Sequence, residues 1–417
     1  MQLSRQWKDL LRLAGQLHVQ NAPWIIRGRQ VAPKSSLNHV DLFCGPGGFA
    51  TGFEWAGFRT LLGLDVHAPS LSTFAENHRD AKTILGDIRE IPTQAIRDEI
   101  GKSTIDVLSA GVPCEGFSMA NRNRTKFTDE RNFLFIEFLR LASDLKPRVL
   151  LVENVANFAR HDDGFFGREV EAGMTELGYQ TTSTVLNASS FGVPQRRRRV
   201  MFIGILPGYS FAWPKPTHGS NPELKPFVTV GDALLGDLPE LEANEFSDEY
   251  LGKPTNDYQK FLRGTQKKLL NHQAPNHPKA TIKRIASTLP GEPMYESYRQ
   301  RIRLHPDQLS PTIVSGGIRP QFAYGHPTQA RGMTIRERAR LMSFPDTYNF
   351  LGGIVQGRVQ TGDAVPPLLA FAVAQAIRSA LEKKTRPQDS DLGKVHVALV
   401  AKGLREEPWA QEAIAFS

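Results

Sequence analysis

The chain has 417 residues, enough for two domains that each bury a core, and its 40% hydrophobic and 23% charged content is that of an ordinary globular protein. No run approaches the roughly 18 consecutive apolar residues of a membrane span and the N-terminus lacks the apolar centre of a secretory signal, so a cytoplasmic protein is expected. Two cysteines, Cys44 and Cys114, exclude a disulfide framework and cannot by themselves complete a metal site, while a net charge of +8 favours a polyanionic partner.

Residues 1–36 carry an amphipathic pattern from Leu3 to Leu17 and a Pro-containing connection to Ser36, and read as an accessory segment. His39 to Phe43 reads as a strand running into Cys44-Gly45-Pro46-Gly47-Gly48-Phe49 and then a helix through Trp55. Glycines after a strand allow a tight turn and close approach of backbone to a ligand, and the helix start offers free N–H groups. The same glycines would equally serve a plain turn. A second strand, Thr60 to Leu64, ends in Asp65, about twenty residues past the glycines, where a carboxylate can accept from a ribose. A third, Lys82 to Leu85, ends in Gly86-Asp87-Ile88. Three strands that each end in a polar group at one rim outline a nucleoside-shaped pocket.

Ile105 to Ala110 is a buried strand that delivers the rigid loop Gly111-Val112-Pro113-Cys114-Glu115-Gly116-Phe117-Ser118. Cys114 thereby stands at a strand's C-terminal end, where open α/β sheets bind ligands. A lone cysteine is ordinarily a small buried hydrophobe; its neighbours along the chain favour a nucleophile here. A polar, basic segment from Asn121 to Arg131 follows, suited to a phosphate backbone or to solvent, and then a helical pattern from Phe133 to Leu145. Val149 to Val152 is the most apolar strand and ends in Glu153-Asn154-Val155; a carboxylate at the end of a buried strand is costly unless paired or used. A helix near Gly167 to Leu177 and a strand from Tyr179 to Leu186 lead to Gln195-Arg196-Arg197-Arg198-Arg199 and the strand Val200 to Ile205. On extended backbone Arg197 and Arg199 point one way and Arg196 and Arg198 the other.

Beyond Pro207 the charge is segregated: acidic from Asp232 to Glu249, basic from Lys253 to Arg303. The acidic run is expected to face solvent. Tyr295, Arg299, Arg301 and Arg303 are the best candidates for groove or phosphate contacts. A C-terminal helix runs from Leu368 to about Leu381, followed by a tail from about Lys383.

Taken together these motifs resemble the DNA (cytosine-5)-methyltransferases of bacterial restriction-modification systems. Asp41 to Phe49 is similar to the family's cofactor loop, Pro113 to Ser118 to its nucleophile loop, Glu153-Asn154-Val155 to its acidic motif and Gln195 to Arg199 to its arginine motif. Arg331 to Leu341 with Phe344-Pro345-Asp346, and Gly362-Asp363-Ala364-Val365-Pro366-Pro367, are similar to its late motifs, in order, across roughly residues 38 to 380. Glu115 stands where the family usually has Gln, and Asp363 where Asn is commoner.

The resemblance implies an α/β fold, a Rossmann-like, mostly parallel sheet with a smaller inserted DNA-recognition domain. The expected division is 1–36 accessory, 37–206 catalytic and cofactor-binding, 207–303 target-recognition, 304–382 return to the catalytic domain and 383–417 tail. It implies S-adenosyl-L-methionine as cofactor, with Phe43, Gly45, Gly47 and Gly48 along its methionine part, Asp65 on the ribose, Val66 against the adenine, Asp87 and Ile88 at the adenine edge and Asp363 nearby. Cys114 becomes the nucleophile, Glu153 the hydrogen-bond partner of the cytosine ring, and Arg197 and Arg199 the groups that hold the base carbonyl and organise the site; Ser118, Arg299, Arg301 and Arg303 contact DNA. Double-stranded DNA is the expected partner of a monomer, with a cognate restriction endonuclease encoded nearby. An RNA methyltransferase and a silent DNA-binding regulator on the same fold remain the alternatives from sequence.

Overall fold

A computed structural model describes residues 37–112, 134–158, 164–315 and 324–383. The accessory segment, the nucleophile loop with Cys114 and Ser118, the basic loop to Arg131 and the tail beyond Lys383 lie outside the described residues.

Seven strands form one sheet: β1 (Asn38–Leu42), β2 (Arg59–Asp65), β3 (Lys82–Leu85), β4 (Val107–Gly111), β5 (Val149–Val155), β6 (Gln180–Asn187) and β7 (Arg198–Ile205). Their order is β3-β2-β1-β4-β5-β7-β6. The first five run parallel, and β7 lies antiparallel between β5 and β6. The chain winds outward from β1 to β3, then returns to place β4 against the other side of β1. That reversal makes the crevice above the C-terminal ends of β1 and β4 the ligand position of an open α/β sheet. The glycine loop follows β1, and the chain toward Cys114 follows β4.

Alternation along the strands feeds two apolar layers. On one face Val40, Leu42, Leu62, Leu108, Leu150 and Val152 pack against α3 (Thr93–Ile100), α4 (Leu134–Leu145) and α5 (Phe165–Glu176). On the other, Val107, Val149, Leu151, Met201 and Ile203 meet α1 (Gly48–Trp55) and α11 (Pro367–Glu382). The remaining helices are α2 (Ala68–Asn77), α6 (Val230–Leu234), α7 (Asp257–Arg263), α8 (Lys279–Ser287), α9 (Ile335–Leu341) and α10 (Gly353–Asp363).

The stretch Gly353–Glu382 has the length and hydropathy of a membrane span, contrary to the sequence expectation. It is broken by Ala364 to Pro366, and the apolar face of α11 is filled by the sheet and α1, which accounts for its composition.

Residues 207–303 contribute short helices and long connections rather than a layered unit. Their main apolar cluster, with Val230, Ala233 and Leu234, is shared with Leu304, Ile313, Met333, Ile335, Leu341 and Phe344. The acidic run does not all face solvent. Asp237 is fully buried and accepts from both terminal nitrogens of Arg340 at 2.6 and 2.9 Å, because a charge inside an apolar cluster requires a partner.

Candidate active site

After Leu42 the backbone enters the left-handed region at Phe43 (φ 56°), Gly45 (φ 53°) and Gly47 (φ 100°), which curls the chain over the ends of β1 and β2. The Cys44 amide donates to the Leu64 carbonyl and that of Gly47 to Cys44, each at 3.0 Å. The glycines differ in what they face. A Cβ at Gly45 would meet nothing within 4 Å, whereas at Gly48 it would strike the Val365 carbonyl. Gly45 therefore presents the loop's open side, and Gly48 permits close packing on the C-terminal motif.

Asp65 stands at the end of β2 with one carboxylate oxygen taking the Gly45 amide and the other the His67 amide, both at 2.7 Å. Burial raises its pKa despite those donors. It braces the glycine loop as well as facing the rim. Val66, next to it, is 66% exposed, an apolar side chain left open just past the end of β2. Asp87 is held by Arg89 at 2.6 Å, and that hydrogen-bonded pairing keeps its carboxyl below the usual range. The side chain of Ile88 is buried in the core, so at this strand end it is the backbone of Ile88 that faces the rim. Asp363 is exposed at the end of α10.

Glu153 sits in β5 in register with Gly111 at the end of β4 and Met201 on β7. It is 8% exposed, and its Oε1 accepts from Arg199 Nε at 2.8 Å. Asn154 donates to the Val112 carbonyl at 3.3 Å, tying the acidic motif to the chain two residues before Cys114.

Arg196 and Arg198 are exposed while Arg197 and Arg199 turn inward. The inward pair divides its labour between the two expected tasks. Arg197 donates to the carbonyls of Ile313, Gly362 and Ala364 at 2.9 to 3.0 Å, so its terminal nitrogens are committed to backbone rather than to a base carbonyl. It clamps the last motif beside the glycine loop.

The DNA candidates also divide. Arg303, expected on DNA, instead turns inward: its guanidinium donates to the carbonyls of Ile285 and Thr288, capping the end of α8, and to that of His326. Carbonyls left over at a helix end need such a donor. Arg299 is exposed, and Arg301 lies over the Tyr298 ring at 4.3 Å with Arg284 over Tyr295 at 4.4 Å. These stacked cations and rings form a surface suited to phosphate and base contact.

Sequence reading missed a buried polar chain beneath the loop. His39 Nε2 lies 2.8 Å from the Ser109 hydroxyl, which donates at 2.6 Å to Asp41, its register partner, so the chain links β1 to β4. Burial pulls His39 down to about 3 and pushes Asp41 up to about 7. The available signal was two polar residues on one face of an otherwise apolar strand.

Comparison with known proteins agrees with this geometry. Residues 37–379 match the family described as C-5 cytosine-specific DNA methylase. The Type II methyltransferase M1.HphI of Haemophilus parahaemolyticus is 36% identical over 353 residues, covering 82% of this chain and 87% of that one. M.DdeI of Desulfomicrobium norvegicum is 30% identical, covering 85% and 92%. Among solved structures, a prophage-encoded E. coli protein assigned as a DNA modification methyltransferase superposes with a TM-score of 0.70 at 26% identity, covering 83% of this chain and all of that one. With its mostly parallel sheet, glycine loop and paired Glu153 and Arg199 in the family's order, the chain belongs to the C-5 cytosine-specific DNA methylase family and is a DNA (cytosine-5)-methyltransferase of the bacterial Type II kind.

Proposed function

We propose that the protein transfers a methyl group from S-adenosyl-L-methionine to carbon 5 of one cytosine within a short duplex sequence, as the modification half of a restriction-modification system. The observation that carries this reading is the topological switch: the glycine loop after β1 and the chain toward Cys114 after β4 flank one crevice, with Glu153 beside Gly111.

The residues fit the donor. Gly45 leaves an open backbone face, Val66 offers an apolar surface for a purine, and Asp65 and Asp87 stand at successive strand ends for hydroxyl and amine groups. When bound, S-adenosyl-L-methionine supplies an electrophilic methyl group. Carbon 5 of cytosine is a poor nucleophile, and the Cys114 thiolate corrects this by adding to carbon 6, a step for which sulfur is the suited side chain. Glu153 holds the ring's N3 and amino group as charge shifts onto the ring, and Arg199 fixes the orientation of Glu153. Once carbon 5 has gained the methyl group, with the donor's sulfonium carbon–sulfur bond broken, loss of the carbon-5 proton re-forms the aromatic ring and releases Cys114. Carbon 6 is inaccessible in a stacked duplex, so the base leaves the helix to react. The protein acts as a monomer in the cytoplasm, beside a cognate endonuclease.

Bisulfite sequencing of DNA from a methylation-free bacterial host tests the reading. Protected cytosines in one short motif, lost on Cys114→Ser, are expected; soluble protein with no protected cytosine would sink it.

A further inference from the structure

One buried polar chain, separate from the residues assigned above, reaches the glycine loop from behind. After α9 the chain turns through Phe344-Pro345-Asp346, and the segment up to Leu351 docks on α2. Asn77 and Asn349 exchange two hydrogen bonds of 2.9 Å, and the Leu351 amide donates to the Thr73 hydroxyl at 2.9 Å. This docking carries Tyr348, 3% exposed, beneath the loop, where its hydroxyl donates to the Pro46 carbonyl. His78 Nε2 lies 3.0 Å from the same hydroxyl, and His78 Nδ1 lies 2.9 Å from Glu54.

The loop needs an outside fastener. The Pro46–Gly47 peptide precedes a glycine at φ 100°, and a peptide next to glycine turns over more easily than one held between side chains. Its neighbour is held from within, by the Thr51 hydroxyl donating to the Gly47 carbonyl at 2.8 Å. The Pro46 carbonyl is held by Tyr348. Burial pushes the phenol's pKa up, so the hydroxyl stays a donor at working pH. The Tyr348 carbonyl in turn accepts from Arg336, which also donates to Leu270 in the inserted region.

We propose that Tyr348 is a positioning residue for the methyl donor: by holding the Pro46 carbonyl it sets the curvature of the glycine loop, with His78 and Glu54 steadying its hydroxyl. The link through Arg336 ties this setting to the DNA-reading part of the chain. The inference rests on the reading of the loop as the donor site.

Tyr348→Phe removes only the hydroxyl and keeps the ring among Phe344 and Phe350. The Kd for S-adenosyl-L-homocysteine without DNA, and the KM for S-adenosyl-L-methionine, should each rise roughly three- to tenfold, the worth of one hydrogen bond. kcat at saturating donor and KM for duplex DNA should stay within about twofold of wild type. A merely structural role would lower the melting temperature and leave donor affinity alone, and that result overturns the proposal, as does a fall in kcat at unchanged donor KM. His78→Gln should shift donor KM in the same direction, and it decides the matter if Tyr348→Phe does not fold. Wild-type protein that binds neither compound would overturn the reading of the loop itself.

Discussion

Glu153 and Arg197 show how two buried charged side chains of one site serve different ends. Glu153 pairs with Arg199 and stands beside Gly111, so its carboxylate remains available to a ring above β4. Glu153→Gln keeps the shape and removes the charge; kcat should drop about a hundredfold or more in a tritiated methyl-transfer assay while the melting temperature moves little. The two terminal nitrogens of Arg197 donate to three carbonyls, while its buried Nε has no partner among the described residues. Arg197→Met leaves those acceptors without their charged donor, and hydrogen bonds to charged groups are worth about 1.5–3 kcal/mol each. Stability from urea unfolding should therefore fall by at least about 2 kcal/mol, with the loss in activity following the loss of folded protein. Sequence alternation was enough to turn this pair inward, but it carries no information on what each one would meet.

Among the elements, α9 joins residues 207–303 to the rest of the chain. Arg340 on this helix donates to Asp237 and Asp346 through four hydrogen bonds of 2.6 to 3.0 Å, all three residues fully buried. Removing one member strands buried charge, so Arg340→Met should cost about 3–5 kcal/mol and reduce the yield of folded protein. Arg340→Lys should recover only part, because an ammonium cannot reproduce two forked pairs. The surface bearing Arg299 and Arg301 behaves differently. Arg299→Ala with Arg301→Ala should leave the melting temperature near wild type and flatten the plot of log K for duplex binding against log salt by up to about 2, roughly 0.9 for each phosphate no longer neutralised. An unchanged slope would remove this face from the DNA interface. Asp237 departs from the solvent-facing expectation for a physical reason: in sequence it looks like its solvated neighbours, and only the fold brings Arg340, 103 residues later, against it.

For the molecule as a whole, burial of neutral imidazoles sets the acid limit. Burial lowers His39 to about 3 and His277 and His326 to about 4, from an ordinary 6.5. Between pH 6.5 and 4 the unfolded chain then binds more protons than the folded chain, so these groups subtract stability as pH falls through that window. Asp41, raised to about 7, acts oppositely, its contribution fading as pH rises from 4 to 7. His218 and His272 are also lowered by burial and Asp65 is also raised, so five imidazoles oppose two carboxylates, and the melting temperature should decline on acidification from pH 7 to 4.5, as differential scanning fluorimetry would show. A flat profile would contradict it.

From amino-acid order alone follow the strands, the rim on which Asp65, Asp87 and Glu153 stand, the succession of the motifs and hence the family. These depend on local periodicity and on short segments whose geometry is set by their own residues. The partners came only with the packed chain: that Arg197 and Arg303 hold backbone, that Ile88 is core, that Asp237 is buried, and that Tyr348 reaches Pro46 across 302 residues of chain. The reason is that a polar side chain's role depends on which donors and acceptors surround it after packing, and those come from segments far apart in sequence.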